Sequence, residues 1–259
     1  MASFSVQQSQ SFNTTTDMNY QKIKTNSKGG KSVKCKLRTQ TPRMPLAFDI
    51  SVNQNDEGMN KYDMSLSFRG EEESEKVVSF RKMMDDIDQY NITWATENSV
   101  ELFGEDLTMK RDLVEDRYNH LVKMPKKKEY SPTFRVKLPT KMDSETPEFQ
   151  LFDKDKQEIS FYDVSTNVMN IDFLSRNTDT VLLIEYGGLW VVGKKFGSNW
   201  KLVQGKVFSS TKETGYALDD SDDEESNVNP QDMARVSEED VNPPDSLITD
   251  DESDINPPS

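Results

Sequence analysis

"TVLLIEYGGLWVVGKKFGSNWKLVQGKVF", residues 180–208, is the longest stretch in the chain with apolar side chains recurring at every second position. Period-two alternation is the signature of a strand with one buried face. Glycines interrupt it three times. The stretch reads as two or three strands joined by glycine turns at Gly187–Gly188, Gly193 and Gly197.

Working outward, the same period recurs upstream. In "SVKCKLRT" (32–39) Val33, Cys35 and Leu37 point one way, and Lys34, Lys36 and Arg38 the other. In "LAFDISV" (46–52) Leu46, Phe48, Ile50 and Val52 share a face, as do Tyr62, Met64, Leu66 and Phe68 in "YDMSLSF". In "PTFRVKLP" (132–139) Phe134, Val136 and Leu138 face inward and Arg135 and Lys137 outward; "FQLF" and "EISFYDV" are shorter candidates. Between the third and fourth strands the period changes. Val77, Phe80, Met84, Ile87 and Trp94 recur at helical spacing, after the acids Glu71, Glu72 and Glu73, which suit a helix N-terminus. A second helical stretch is expected over about 109–122. Short strands with glycine turns and one helical insertion point to a small closed or nearly closed β-barrel, with an all-β sandwich as the alternative.

Charge is unevenly placed. Residues 218–259 hold fifteen Asp or Glu against Arg235 alone, a charge of −14, which is the charge of the whole chain. Residues 1–217 therefore hold 31 acidic and 31 basic residues and are net neutral, while residues 1–48 alone carry eight Lys or Arg against Asp17. Only 33% of the chain is hydrophobic, so a modest core is expected. No apolar run approaches the roughly 20 residues of a membrane helix, and "MASFSVQQSQSFNTTTD" has no signal-peptide core. A non-secreted protein is expected, without membrane contact.

Chemistry-bearing motifs are few. Cys35 and His120 are the single cysteine and histidine, which disfavours a disulfide, a thiolate zinc site or His-dependent catalysis. "KGGKS" (28–32) lacks the first glycine of a phosphate loop, Thr25 standing there, and reads as a turn into the next strand. Acids cluster in blocks such as "GEEESE" that look like solvated helix surface, so no enzyme, cofactor or metal is expected. Basic residues interleaved with rings say more: Lys34, Lys36, Arg38, Arg135 and Lys137 on strands; Lys194 and Lys195 between Trp190 and Phe196; Lys201 and Lys206 beside Trp200; and Lys126, Lys127 and Lys128 next to Tyr130. Singly, each lysine reads as the wet face of a strand, and Trp190 and Trp200 more readily as core than platform. Together they suit a single-strand binder, in which cations neutralise phosphates and rings stack bases at about 1–3 kcal/mol each.

"PTFRVKLP", the "FQLF" strand and "GLWVVGKKFGSNWKLVQGKV" (188–207), with Trp190, Gly197, Trp200 and Gln204, carry a resemblance, to which "KGGKS" and "PRMPLAF" (42–48) add. The chain resembles the single-stranded DNA-binding proteins of the T-seven-type phages, and still more their relatives in nucleocytoplasmic large DNA viruses. The resemblance covers about residues 20–208, with the tail similar by character only. It implies an OB-like five-stranded barrel with a helical insertion (about 74–122) between the third and fourth strands, within a DNA-binding domain over 20–210. It also implies a non-enzymatic replication protein that coats exposed strands in the host nucleus or a cytoplasmic replication site. Its partners would be single-stranded DNA, plus a viral DNA polymerase and other replication proteins engaged through the tail; a homodimer is an open alternative. The chain departs from the phage pattern in its last residues, "NPPS", where the phage tails carry an aromatic.

Residues 1–19 read as a disordered lead and 211–259 as a disordered acidic tail, too poor in apolar residues to fold. Three motifs, "VNPQD", "VNPPD" and "INPPS", each follow an acidic cluster, the first made by Asp219, Asp220, Asp222, Asp223, Glu224 and Glu225; Val241 and Ile255 offer partners a hydrophobic contact. A flexible tail of this length spans roughly 35 Å, enough to reach any face of its own domain, and tethering gives an effective concentration on the order of millimolar. The tail is expected to compete with DNA for a basic groove and, once displaced, to recruit partners. An acidic adaptor or chaperone-like interaction protein is the alternative of a different class.

Overall fold

The computed structural model describes residues 6–54, 58–141 and 144–208. The chain begins with β1 (Val6–Gln7), α1 (Thr14–Asp17), β2 (Lys24–Thr25), β3 (Lys31–Val33), β4 (Arg38–Gln40), β5 (Met44–Pro45), β6 (Ser51–Gln54) and β7 (Asn60–Ser67). A 3-10 turn (Glu71–Glu73) leads into α2 (Glu75–Glu97), α3 (Ser99–Phe103) and α4 (Arg111–Glu115). Strands β8 (Tyr118–Asn119), β9 (Val122–Lys123), β10 (Thr133–Leu138), β11 (Gln150–Phe152), β12 (Tyr162–Asp163) and β13 (Val168–Met169) follow. Two long strands, β14 (Asp179–Val192) and β15 (Lys195–Phe208), complete the fold.

The architecture is mainly β. The principal sheet follows the path β1-β4-β14-β15-β10-β7-β6, and β12 and β13 form a separate pair. The expected closed barrel is not formed. Among the described residues β1 pairs only with β4 and β6 only with β7. Where closure would fall, between β5 and β7, backbone pairing among the described residues is limited to the bridge Leu46↔Leu66 and the Ala47 N–H donating to the Ser65 carbonyl at 2.8 Å. The cause is local: Pro45 has no N–H to give, and the Leu46 N–H is taken by the Thr178 carbonyl at 2.9 Å. A seam is left open there.

Alternation is faithful on three of the expected strands. Val33, Cys35 and Leu37, then Tyr62, Met64, Leu66 and Phe68, then Phe134, Val136 and Leu138 are all buried, and the intervening Lys34, Lys36, Arg135 and Lys137 are exposed. It fails in "LAFDISV": Leu46 is buried, but Phe48 is 60% and Val52 52% exposed. The chain bends after Leu46 and resumes as β6, an edge strand whose four residues are all exposed, so no single sheet face runs through the segment. Residues 6–19, read as a disordered lead, instead carry β1 and α1, and Met18 is buried. The second helical stretch shrinks to α4. Met109 is exposed, and Leu121 and Val122 reach the core from the turn after β8 and from β9. Met109, Leu113, Val114, Leu121 and Val122 fit a helical period, yet only Leu113 and Val114 lie in a helix.

Helix α2 packs two apolar clusters. Phe80, Met83, Met84 and Ile87 join the main core with Phe134 and Trp200, and Ile92 and Ala95 join a second with Leu189, Val191 and Phe196. Between them Asp88 and Asn91 are buried. Tyr118 donates to Asp88 Oδ1 at 2.6 Å, and the Leu121 N–H to Oδ2 at 3.0 Å. Asn91 accepts from Tyr20 and Tyr186 and donates to Tyr118 (2.8 Å) and Ser198 (3.3 Å). Burial raises the Asp88 pKa, and its hydrogen bonds pull the other way. The network ties α2 to the β8 strand and to both long strands.

Of the three glycine sites read as turns, only Gly193 is one, at φ 60° between β14 and β15. Gly187 and Gly188 sit inside β14 at a register shift between Tyr186 and Leu189. A Cβ on Gly187 would meet Asn199 Oδ1 at 2.3 Å, and one on Gly188 (φ +82°) the Val33 carbonyl oxygen at 2.0 Å. Gly197 lies within β15 beneath the Trp190 ring, whose Cζ2 would stand 2.9 Å from an added Cβ. These glycines serve close approach, not reversal. Gly188→Ala combines positive φ with a backbone clash, so it should lower unfolding free energy by about 3 kcal/mol. Gly193→Asn, with open space around it, should cost less than about 1 kcal/mol; denaturant midpoints at constant m-value measure both.

Candidate nucleic-acid interface

Odd-numbered residues of β10 and β7 share the outer face of the sheet with Lys201 of β15 and Glu185 of β14. Pairing aligns them into one row: Arg38↔Glu185, Glu185↔Lys201, Lys201↔Lys137 and Lys137↔Asp63. Five strands thus contribute one side chain each. Arg135 leans into the row, with its guanidinium 2.5 Å from Asp63 Oδ2. Arg38 pairs with Glu185 at 2.6 Å. The groove expected to be purely cationic therefore carries two carboxylates of its own, each already bound to an arginine. Asp63 is the more deeply placed, and its Oδ1 has no hydrogen-bond partner among the described residues.

Lys137 registers the crowding. Its pKa lies below the ordinary lysine range, first through partial burial of the amine, which Asp63 opposes, with smaller lowering effects from the Arg135 and Lys201 charges. Three cations share this part of the face with one carboxylate, Asp63, which Arg135 already holds.

The other expected contacts disperse. Lys34 and Lys36 are exposed on the segment from β3 to β4. Lys194 pairs with Glu105 at 3.0 Å and Lys195 donates to the Asp116 carbonyl at 2.9 Å, so both hairpin lysines are engaged by the helical insertion. Lys195 lies about 20 Å along β15 from Lys201. An irregularity at Val203 returns Gln204, Lys206 and Phe208 to the outer face. There the Arg43 guanidinium stands 4.2 Å and Lys206 Nζ 5.3 Å from the Phe208 ring centroid, a cation–π cluster missed because Phe208 read as the end of a strand. Lys126, Lys127, Lys128 and Tyr130 are exposed ahead of β10, beside the seam.

Two ring assignments are corrected. Trp200 and Phe196 are fully buried. Trp200 packs against Phe134 and Tyr186 (centroids 6.3 and 5.2 Å), Phe196 against Phe103 and Tyr118 (5.4 and 5.0 Å). Neither offers a face to a base; each fills the interior side of its strand. Trp190 is half-buried over Gly197. His120, read as helical, instead stands in the turn between β8 and β9, half exposed, its Nδ1 3.2 Å from Asp88. "KGGKS" is the expected turn, its Asn26 side chain accepting from the Lys28 and Gly30 N–H groups. The tail residues, from Asp219 to Glu225 and including Val241 and Ile255, lie outside the described residues.

Lys137→Gln tests the crowding. A lysine depressed in the fold leaves the unfolded chain the better proton binder, so stability rises with pH between the folded pKa and the ordinary value of about 10.4. Substitution by Gln should leave the melting temperature equal or higher at neutral pH and flatten that alkaline rise. Melting curves across pH 7–11 decide it, and a lower melting temperature at pH 7 would count against the crowding.

No curated protein matches the sequence. Among solved structures, the chain is similar to the single-stranded DNA-binding protein from bacteriophage Enc34 in complex with ssDNA, at 10% identity and TM-score 0.40, over 74% of this chain and 97% of that one. It is similar to gp2.5, a single-stranded DNA-binding protein encoded by bacteriophage T7, at 10% identity and TM-score 0.40, over 78% and 100%. A further structure of the single-stranded DNA-binding protein from bacteriophage Enc34 gives 12% identity and TM-score 0.41 over 78% and 99%. Likeness at this level carries no functional argument. A family model, described as a family of unknown function (DUF5871), matches residues 63–220. That span starts in β7 and takes in the helical insertion and both long strands, and the chain belongs to this family.

Proposed function

We propose that this chain is a non-enzymatic single-stranded DNA-binding protein that takes the strand across its outer sheet face without reading its sequence. The observation that carries the reading is the convergence of Lys137, Lys201 and Arg135 on one face of adjacent strands, where their like charges repel. A polyanion laid there would relieve this repulsion and release counterions, which is how phosphate backbones are gripped. Asp63 and Glu185 moderate the grip: each holds an arginine until a phosphate replaces it.

The finer parts of the reading rest on sequence. The acidic residues beyond 217 would occupy the same face as an internal competitor, and their repeated Val/Ile-Asn-Pro motifs would engage replication proteins, a viral DNA polymerase among them. A viral replication site in the nucleus or cytoplasm, and a homodimeric state, belong to the same proposal.

Titration of oligo-dT at several salt concentrations tests it. Replacing Lys137 and Lys201 together by Ala should weaken binding and reduce the log–log salt slope by roughly 0.7 per lost contact. Removing 218–259 should raise affinity. An intact chain that ignores oligo-dT even in dilute salt would instead favour a protein-binding adaptor.

A further inference from the structure

The open seam between β5 and β7 is a cleft of 650 Å³. Its apolar lining includes Phe48, Met124 and Tyr130, which are 60%, 68% and 56% exposed. Large apolar side chains left this open beside one another are unusual on a water-facing surface. Arg69, Lys123 and Arg176 also line it. In the sheet-face row the two arginines are neutralised by carboxylates. Here Arg69 is held by the amide oxygen of Asn177 at 3.1 Å and Lys123 by that of Asn119. Among the described residues none of the three cations has an ion-pair partner. The one carboxylate in the lining, Glu129, faces Lys127 at 3.7 Å.

The cleft is continuous with the row. Ser67 and Thr133, paired across β7 and β10, are part of its lining; two residues on come Ser65 and Arg135, and two further Asp63 and Lys137. All six lie on one sheet face, and the step from Thr133 to Lys137 is about 13 Å. Lys201, Lys137 and Arg135 thus lead along this face to the Ser67–Thr133 pair at the edge of the seam, where Phe48 and Tyr130 stand.

We propose that this cleft is a base-stacking subsite: unstacked bases of a single strand rest on Phe48 and Tyr130 while Arg69, Lys123 and Arg176 take the flanking phosphates. This deepens the strand-binding reading and rests on it. Rings with unpaired cations around them suit a ligand that alternates flat apolar faces with negative charge. The seam supplies them because the strand pairing that would cover it is missing.

The test uses the full chain and two ligands of one length, oligo-dT and an abasic deoxyribose-phosphate oligomer. Phe48→Ala combined with Tyr130→Ala should lose about tenfold in affinity for oligo-dT. It should scarcely change binding of the abasic strand and should leave the salt slope intact. Arg176→Ala should weaken both ligands and lower the slope by roughly 0.7. Both exposed rings can be removed without opening the core, and an unchanged circular dichroism spectrum confirms the fold. If the double variant binds oligo-dT as the intact chain does, or loses equally on both ligands, the subsite is refuted while strand binding stands. If the intact chain binds neither oligomer, the strand-binding reading itself falls.

Discussion

Every other part of the molecule hangs on the ladder between β14 and β15. These 14-residue strands pair with each other from Asp179↔Phe208 to Val192↔Lys195. On its free edge β14 receives β3, β4 and β5, and β15 receives β8, β10 and β11 on its own. A straight ladder could not serve so many partners. The register shift at Gly187–Gly188 bends β14, so that the segment around Val33 crosses in van der Waals contact while Arg38 still pairs opposite Glu185. A missing Cβ at two positions therefore sets where the cationic row is assembled.

The row's charge pattern has a consequence for selectivity. A surface of cations alone would hold any anion tightly. With Glu185 and Asp63 placed in the row, each arginine must leave a carboxylate to take a phosphate, so weak anions gain little. Lys137 and Lys201 remain as the cations whose neutralisation is favourable without such an exchange. Under the proposed function, this face would be a moderated binder.

Helix α2 gives the face its rigidity. Asp88 and Asn91 place hydrogen bonds between two apolar clusters and reach both long strands, through Tyr186 and Ser198. Groups buried this way cost several kcal/mol if left unpaired. The helix is thereby held in one rotation against the sheet, and the insertion can hold Lys194 and Lys195 through Glu105 and Asp116 without disturbing the row.

Sequence alone determined the parts governed by local periodicity. The inward sets Val33–Leu37, Tyr62–Phe68 and Phe134–Leu138, the outward Arg135 and Lys137, the helix from Val77 to Ile87 and the turn at Gly193 all follow from alternation or helical spacing, because each element buries one face. Tertiary structure decided whatever depends on which elements meet. Gly187, Gly188 and Gly197 became points of close approach because other backbones and rings cross there. Trp200 became core because three strands enclose its side. Phe48 was left in the open because the chain bends away from the sheet after Leu46. Alternation says which way a side chain points, but only the pairing of distant strands says whether anything lies in that direction.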